Sequence, residues 1–261
     1  MVLIYVDDII VTGNDSKNLN QFISKLNKSF ALKDLGDLHY FLGIEVYRDE
    51  TGIYLTQTKY IEDLLKKRNL EHLKHCPTPM AVGKPISKSD GEPMSNPFVY
   101  RSAVGALQYL TNTRPYIAFA VNKLIQFMHE PFNVHWNVVK SVRRYLKGTM
   151  NLGLHISQND RLPIQRFLDA DYGVCVDNRR SVGGYFVFRG DILVSWSSKK
   201  QNVVSRSSTK SEYRALAHVA AEITWIQSLL TEFGYPISTS SITWCDNMGA
   251  SALAANPVYH A

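Results

Sequence analysis

The stretch IQRFLDADYGVCVDNRRSVGGYFVFRGDILVSWSS, residues 164–198, decides the fold class of the second half of the chain. Runs rich in apolar, β-branched and aromatic residues occur in it at 164–170, 184–188 and 192–196. We predict that each run is a strand, because turn-forming residues separate them. A helix is predicted over 211–233 from its apolar stripe, and a fourth strand over 242–245. The order strand–strand–strand–helix–strand indicates a mixed α/β (α+β) domain.

Carboxylates stand at three of these predicted elements: Asp169 in the first strand, Glu212 near the start of the helix and Asp246 after the fourth strand. Glu212 precedes Leu216 by four residues, so it lies on the apolar stripe and is expected to face the sheet. A glutamate there is unusual without a partner, although a first-turn carboxylate stabilised by the helix dipole is the simpler interpretation. Asp171 shares the strand face of Asp169 and is a second candidate.

Carboxylates that converge from a strand, a helix and a strand would form an oxygen-rich site suited to Mg²⁺ or Mn²⁺. Two such ions about 4 Å apart can activate water and stabilise the leaving oxygen in phosphodiester cleavage. The pattern therefore predicts a metal site in the second half of the chain.

The first half begins with the sequence VLIYVDDIIVT, residues 2–12, which predicts a β-hairpin. We place Asp7 and Asp8 at its turn, between two apolar β-branched runs. Adjacent carboxylates in an apolar hairpin are costly without a cation, although aspartate is also common in ordinary surface turns. The pair is therefore a candidate metal site with a simpler alternative.

The remaining residues of the first half predict a helix over 19–30, two strands within 38–55 and a helix over 60–65. Residues 77–98 contain five prolines and are predicted to be a linker. Residues 99–148 predict three helices, with Pro115 at a first helical position and Gly148 at a stop.

Positive charge is concentrated in one part of the chain. The net charge is +6, and residues 101–150 alone hold seven basic residues and one acidic residue. Lys140, Arg143, Arg144 and Lys147 follow the spacing of one helical face, which we expect to be exposed and to bind a phosphate backbone. The alternative is an ordinary solvated helix face.

The cysteine and hydropathy patterns exclude other classes of protein. The three cysteines, Cys76, Cys175 and Cys245, are far apart and form no CxxC motif. This favours a reducing compartment and argues against a disulfide framework or a zinc site. No stretch approaches the roughly 20 apolar residues that a membrane span needs, and we expect no membrane partner.

Several long strings resemble the Pol polyproteins of copia-type retrotransposons, in the order of that family. YVDD at 5–8 resembles the YxDD motif of reverse transcriptases. ALKDLGDLHYFLGIEV at 31–46 and YRSAVGALQYLTNTRP at 100–115 resemble the polymerase tail and the connecting region. The strings at 167–188 and 194–217, together with WCDN at 244–247, resemble the ribonuclease H domain.

The resemblance implies a fold and a domain order. Part of a reverse transcriptase palm and thumb would occupy residues 1–76, followed by the linker at 77–98. A helical connection would occupy 99–158, and a ribonuclease H-like domain 159–261. The strand that carries the third polymerase aspartate would lie upstream of this sequence. The last elements of the ribonuclease H domain, with its fourth carboxylate, would lie downstream.

The resemblance also implies an activity and its metal ions. The family synthesises DNA on an RNA template and cleaves the RNA of an RNA–DNA hybrid, using Mg²⁺ (or Mn²⁺). Asp7 and Asp8 would bind the polymerase metals, and Asp169, Glu212 and Asp246 the ribonuclease metals. An RNA–DNA hybrid would be the partner, and the intact family is expected in a cytoplasmic particle.

Alternatives stay open at this point. Because parts of both family sites would lie outside this sequence, we expect no template-directed polymerase activity and weak or absent ribonuclease H activity from the chain alone. A catalytically inactive transposon remnant, or a co-opted nucleic-acid-binding protein, is the main alternative. A different two-metal nuclease of the ribonuclease H superfamily would leave residues 1–150 unexplained.

Overall fold

The computed structural model describes residues 1–30, 32–67, 74–81, 86–158, 163–235, 241–256 and 258. Two pairing strands, two four-stranded sheets and a layer of helices build the described part of the chain. The mixed α/β class predicted from the sequence is confirmed. Part of the predicted linker, including Pro85, and the last three residues of the chain lie outside the described residues.

The chain begins with an antiparallel hairpin of β1 (Val2–Tyr5) and β2 (Asp8–Val11). Tyr5 pairs with Asp8, so the two-residue turn is Val6–Asp7, and the prediction that Asp7 and Asp8 both lie in the turn is wrong. Both favoured two-residue hairpin turns need positive φ at their first central residue. Val6 supplies it, with a φ of 50° that is rare for a β-branched residue.

After the helix α1 (Ser16–Ser29), an antiparallel sheet forms with the strand order β3-β4-β5-β6. Its strands are β3 (Tyr40–Phe41), β4 (Ile44–Asp49), β5 (Gly52–Thr56) and β6 (Leu154–Ser157). The sequence did not predict β6, which comes from the region expected to be the helical connection. Close backbone approach fixes its position, since a Cβ added to Gly153 would lie 2.2 Å from the Leu55 carbonyl oxygen.

Four helices form one apolar core, and the three expected over 99–148 are among them. They are α2 (Thr58–Lys66), α3 (Pro97–Leu110), α4 (Ala118–Ile125) and α5 (Asn133–Gly148). Pro115 begins a short 3₁₀ helix, Pro115–Ile117, ahead of α4. The core contains the fully buried side chains Ile61, Leu107, Val121, Val142 and Leu146.

The second sheet has the strand order β10-β7-β8-β9. Its strands are β7 (Ile164–Asp171), β8 (Val182–Arg189), β9 (Ile192–Lys200) and β10 (Ile242–Trp244). Neighbouring strands are antiparallel from β7 to β9, whereas β10 runs parallel to β7. The helix α6 (Ser208–Glu232) lies between β9 and β10 in the chain, as the predicted order requires, and α7 (Met248–Ala255), which was not predicted, follows β10.

One face of the second sheet packs against α6. Leu168, Ala170 and Val187 of the sheet share a buried cluster with Val219 and Ile223 of the helix. Because side chains alternate along a strand, Asp169 and its odd-numbered neighbours point to the other face. None of the described helices is long and apolar enough to cross a membrane.

Candidate metal site at the end of the second sheet

The side chain of Glu212 extends from α6 toward the second sheet. The helix is capped by Ser207, whose hydroxyl accepts a hydrogen bond from the Lys210 N–H at 3.2 Å. Glu212 therefore lies beyond the first turn, and the interpretation as a first-turn carboxylate does not apply. Its side chain is only 5% exposed, and its Oε1 accepts a hydrogen bond from the Ala170 N–H at 2.9 Å. The glutamate thus faces the sheet, as the apolar stripe predicted.

The end of β10 leaves room for this contact. β10 pairs with β7 only as far as Phe167, opposite Trp244. The backbone of β7 beyond that point is open to a side chain, and Glu212 bonds to it at Ala170. Asp246 lies two residues after Trp244, at the same end of the sheet.

Two further carboxylates act on Glu212. Burial is the largest cause that raises the pKa of Glu212 above its ordinary value, and the hydrogen bond from Ala170 opposes it. The negative charges of Asp169 and Asp246 both raise this pKa further. The structure therefore places ligand oxygens of Glu212 and Asp246 within 4.8 Å of each other, and Asp169 close enough for its charge to act on Glu212. Glu212 is buried, and both aspartates are exposed.

One oxygen of this group has no donor. Glu212 Oε2 is buried and has no hydrogen-bond partner within the described residues. Asp169 and Asp246 are acceptors when ionised, so they cannot satisfy it unless a proton is shared. A buried unsatisfied acceptor is costly, and a divalent cation would satisfy it. Oxygen ligands of this kind fit Mg²⁺ or Mn²⁺.

Cys245 is a neighbour of this group that the sequence analysis missed. Glu212, Cys245 and Asp246 each offer one ligand atom, and these three atoms lie within 4.8 Å of one another. The thiol forms no disulfide and is half-buried, and its Sγ donates a long hydrogen bond of 3.8 Å to the Asn247 carbonyl oxygen. The spacing of the cysteines could not identify Cys245 as a candidate ligand, because its neighbours in the group are carboxylates rather than other cysteines. The only local signal was its position directly before Asp246.

Asp171, the second candidate on β7, is exposed and two residues further along the strand than Asp169. Of the two aspartates, Asp169 is the one whose charge acts on Glu212. The geometry therefore favours Asp169, and Asp171 serves as a matched carboxylate outside the group.

Asp7 and Asp8 lie at the tip of the exposed hairpin. The Tyr5 ring meets the Phe41 ring edge-on, with centroids 6.4 Å apart. Within the described residues, neither aspartate belongs to a group of three side chains that could hold a metal. Among the described residues, the structure thus places no third ligand side chain with the pair.

The expectation of four exposed cations on α5 is wrong for Arg143, which is 2% exposed. Its guanidinium lies 5.5 Å from the centroid of the Trp136 ring. Residues of α2 and α3 line the space around Arg143, and the Arg144 Nε donates to the Lys74 carbonyl oxygen at 2.7 Å. Lys140 is exposed, whereas Arg144 and Lys147 are half-buried.

Known proteins resemble the chain over its whole length. Residues 1–82 match the family model described as reverse transcriptase (RNA-dependent DNA polymerase). The chain is 45% identical over 259 residues to the retrovirus-related Pol polyprotein from transposon RE2 of Arabidopsis thaliana. That match covers 99% of this chain and 18% of the polyprotein, so the chain spans about a fifth of the length of such relatives.

Two further relatives extend this comparison. The chain is 36% identical over 271 aligned positions to the retrovirus-related Pol polyprotein from transposon TNT 1-94 of Nicotiana tabacum, which covers 100% of this chain and 20% of that protein. It is 46% identical over 224 residues to an uncharacterized mitochondrial protein of Arabidopsis thaliana, covering 86% of this chain and 93% of that protein. No solved structure gives a significant match.

Proposed function

The chain belongs to the family of copia-type retrotransposon Pol polyproteins, and we propose that its second sheet carries the ribonuclease H-like metal site of such a polyprotein. The reaction would be hydrolysis of the RNA strand in an RNA–DNA hybrid. Asp169, Glu212 and Asp246 would hold Mg²⁺ or Mn²⁺, which, when bound, would activate water and stabilise the leaving oxygen.

The unsatisfied Oε2 of Glu212 carries this proposal. It is buried beside two other carboxylates, an arrangement that costs stability without a cation and that a purely structural glutamate would not need. The hydrogen bond from Ala170 fixes the orientation of the buried carboxylate. Asp169 and Asp246 are exposed, so their oxygens can face a nucleic acid on the solvent side.

Charge supports the same proposal. Three carboxylates would repel a phosphodiester in the absence of a cation, because like charges at short range are unfavourable. The basic residues Lys140, Arg144 and Lys147 would instead attract the backbone of the hybrid. We propose that they contact phosphates and that Arg143, being buried, stabilises α5.

For the first half of the chain, we propose that Asp7 and Asp8 are metal ligands of DNA synthesis in the intact polyprotein. The YVDD sequence and the match of residues 1–82 to the reverse transcriptase family support this assignment. The exposed position of both aspartates at a hairpin tip would let them approach a nucleic acid.

The proposal can be tested by incubating the full chain with a labelled RNA–DNA hybrid and Mg²⁺ or Mn²⁺. We expect slow, EDTA-sensitive cleavage of the RNA strand that Asp169→Asn, Glu212→Gln and Asp246→Asn each abolish. Asp171→Asn is the matched control and should retain cleavage. Hybrid binding without any cleavage would favour a co-opted binding protein over a nuclease.

A further inference from the structure

The thiol of Cys245 adds a different kind of ligand to the carboxylate group. Its Sγ lies within 4.8 Å of ligand oxygens of both Glu212 and Asp246. Magnesium prefers oxygen ligands, whereas thiolates select zinc and related soft cations. The proposed nuclease chemistry uses the carboxylates alone and gives the thiol no part.

The backbone explains how the thiol reaches this position. Trp244, the last residue of β10, is 52% exposed, and the next residue points to the opposite side of the strand. Cys245 accordingly packs against the buried cluster between the sheet and α6. Its neighbour Asp246 is exposed, and ligand atoms of both residues lie close to Glu212.

The distances are compatible with one tetrahedral ion. With Zn–S and Zn–O bonds of about 2.3 and 2.1 Å, ligand atoms in a tetrahedral zinc site lie roughly 3.4–3.6 Å apart. Atoms already within 4.8 Å of one another need only small side-chain movements to reach that separation. A zinc-class ion held by three protein ligands keeps a fourth position for water.

An independent observation also points to a ligand. Glu212 is 95% removed from solvent, given its 5% exposure, and its Oε2 has no hydrogen-bond partner among the described residues. The carboxylate belongs to the same three-ligand group as Cys245. A cation bound through Oε2 would satisfy this oxygen.

We propose that Glu212, Cys245 and Asp246 form a site for one thiophilic divalent cation of the zinc class. The inference rests on the proposed function because both sites use Glu212 and Asp246. Because two ligands are shared, a zinc-class ion and the hard cations of the nuclease cannot occupy the group together. Zinc-class ions would therefore inhibit a Mg²⁺-dependent reaction at this site.

The test is a titration of the reduced full chain with Cd²⁺, followed by the ultraviolet charge-transfer absorption of a cadmium–thiolate bond. We expect one equivalent to bind with this signal, and excess Mn²⁺ to weaken the binding. Cys245→Ser should abolish the signal, whereas Cys76→Ser, a matched change at another half-buried thiol, should leave it intact. Asp246→Asn and Glu212→Gln should each weaken Cd²⁺ binding about tenfold or more.

Each outcome decides the proposal. A signal that survives in Cys245→Ser would overturn it, as would a signal that depends on Cys245 but not on Glu212 or Asp246. Circular dichroism of every variant establishes folding. If Cys245→Ser does not fold, Asp246→Asn tests the site instead, because it changes an exposed side chain. If the Cd²⁺ results are as expected but Mg²⁺ supports no hybrid cleavage, the zinc-class site stands and the nuclease proposal fails.

Discussion

Glu212 Oε1 accepts a hydrogen bond from the Ala170 N–H at 2.9 Å, and this bond joins the helix α6 to the strand β7 at the centre of the carboxylate group. The bond uses one oxygen of Glu212 and leaves Oε2 without a donor among the described residues. The same side chain is thus both a structural contact and an unsatisfied charge. This double role predicts that metal ions change the stability of the protein.

Glu212→Gln should stabilise the metal-free protein at neutral pH. The amide oxygen can still accept a hydrogen bond from the Ala170 N–H. The amide NH₂, which replaces Oε2, can donate a hydrogen bond to Asp169. Relief of a buried unsatisfied acceptor is expected to be worth about 1–3 kcal/mol. Urea unfolding in EDTA measures this change. A variant less stable than the unmodified chain would show that the carboxylate is satisfied as it stands.

Manganese should reverse that order of stability. An ion that binds only the folded state stabilises it by RT ln(1 + L/Kd), where L is the free ion concentration. We expect Mn²⁺ to raise the unfolding midpoint of the unmodified chain and to leave Glu212→Gln nearly unchanged. Asp171→Asn should respond like the unmodified chain, because Asp171 lies outside the group.

Stability should fall as the pH drops through the range of histidine titration. His135 is buried, and burial is the largest cause that lowers its pKa. Its Nδ1 accepts from the Phe132 N–H at 3.0 Å, so its Nε2–H donates to the Ser87 carbonyl oxygen at 2.8 Å. Protonation of Nδ1 would break the first of these bonds.

The sign of this effect follows from linkage. The folded pKa of His135 lies below the unfolded value of about 6.5, so the unfolded state binds the proton more readily. The contribution of neutral His135 to the free energy of unfolding is complete above about pH 6.5 and is lost as the pH falls below that value. Unfolding at about pH 7.5 and about pH 5.5 measures this loss. His135→Gln, which can still accept from Phe132, should lose less stability across the interval, and an equal loss would exclude His135 as the cause.

Arg143 should matter for stability rather than for nucleic-acid binding. Arg143→Ala removes a buried side chain that lies over Trp136 and should cost about 2–4 kcal/mol. Lys140→Ala, on an exposed part of the same helix, should change stability by no more than about 0.5 kcal/mol. Thermal or urea unfolding of both variants distinguishes the two roles. Equal changes in the free energy of unfolding for both variants would mean that the buried Arg143 side chain does not stabilise the protein.

Lys140 and Lys147 of α5 should contribute to the salt dependence of hybrid binding. The double change Lys140→Gln and Lys147→Gln should weaken binding to any hybrid sequence. The log–log salt slope should decrease by up to about 0.9 for each phosphate that the variant no longer neutralises. Lys17→Gln with Lys25→Gln on α1 removes the same charge elsewhere and should have a smaller effect. Identical salt slopes for both double variants would show that Lys140 and Lys147 affect binding only through the net charge of the protein.

The sequence was sufficient for features that depend on local pattern. The apolar stripe of α6 placed Glu212 toward the sheet, and strand alternation placed Asp169 and Asp171 on one face of their strand. These inferences hold because periodicities of 3.6 and 2 residues fix side-chain direction within one element. The order of strands and helix in the second half follows from the same local signals.

Features that depend on distant segments could not be predicted in this way. Arg143 is buried because residues of α2 and α3 line its side of α5, which no helical periodicity can reveal. The strand β6 is short and pairs with β5 nearly 100 residues earlier in the chain. Cys245 becomes a possible ligand only through folding, since its partner Glu212 comes from a separate helix.

The central claim is that Asp169, Glu212 and Asp246 bind a divalent cation. Direct titration of the full chain with Mn²⁺, followed by the electron paramagnetic resonance signal of the free ion, tests it. We predict binding that Asp169→Asn, Glu212→Gln and Asp246→Asn each weaken about tenfold or more, and that Asp171→Asn preserves. Unchanged Mn²⁺ binding in all three variants would contradict the account.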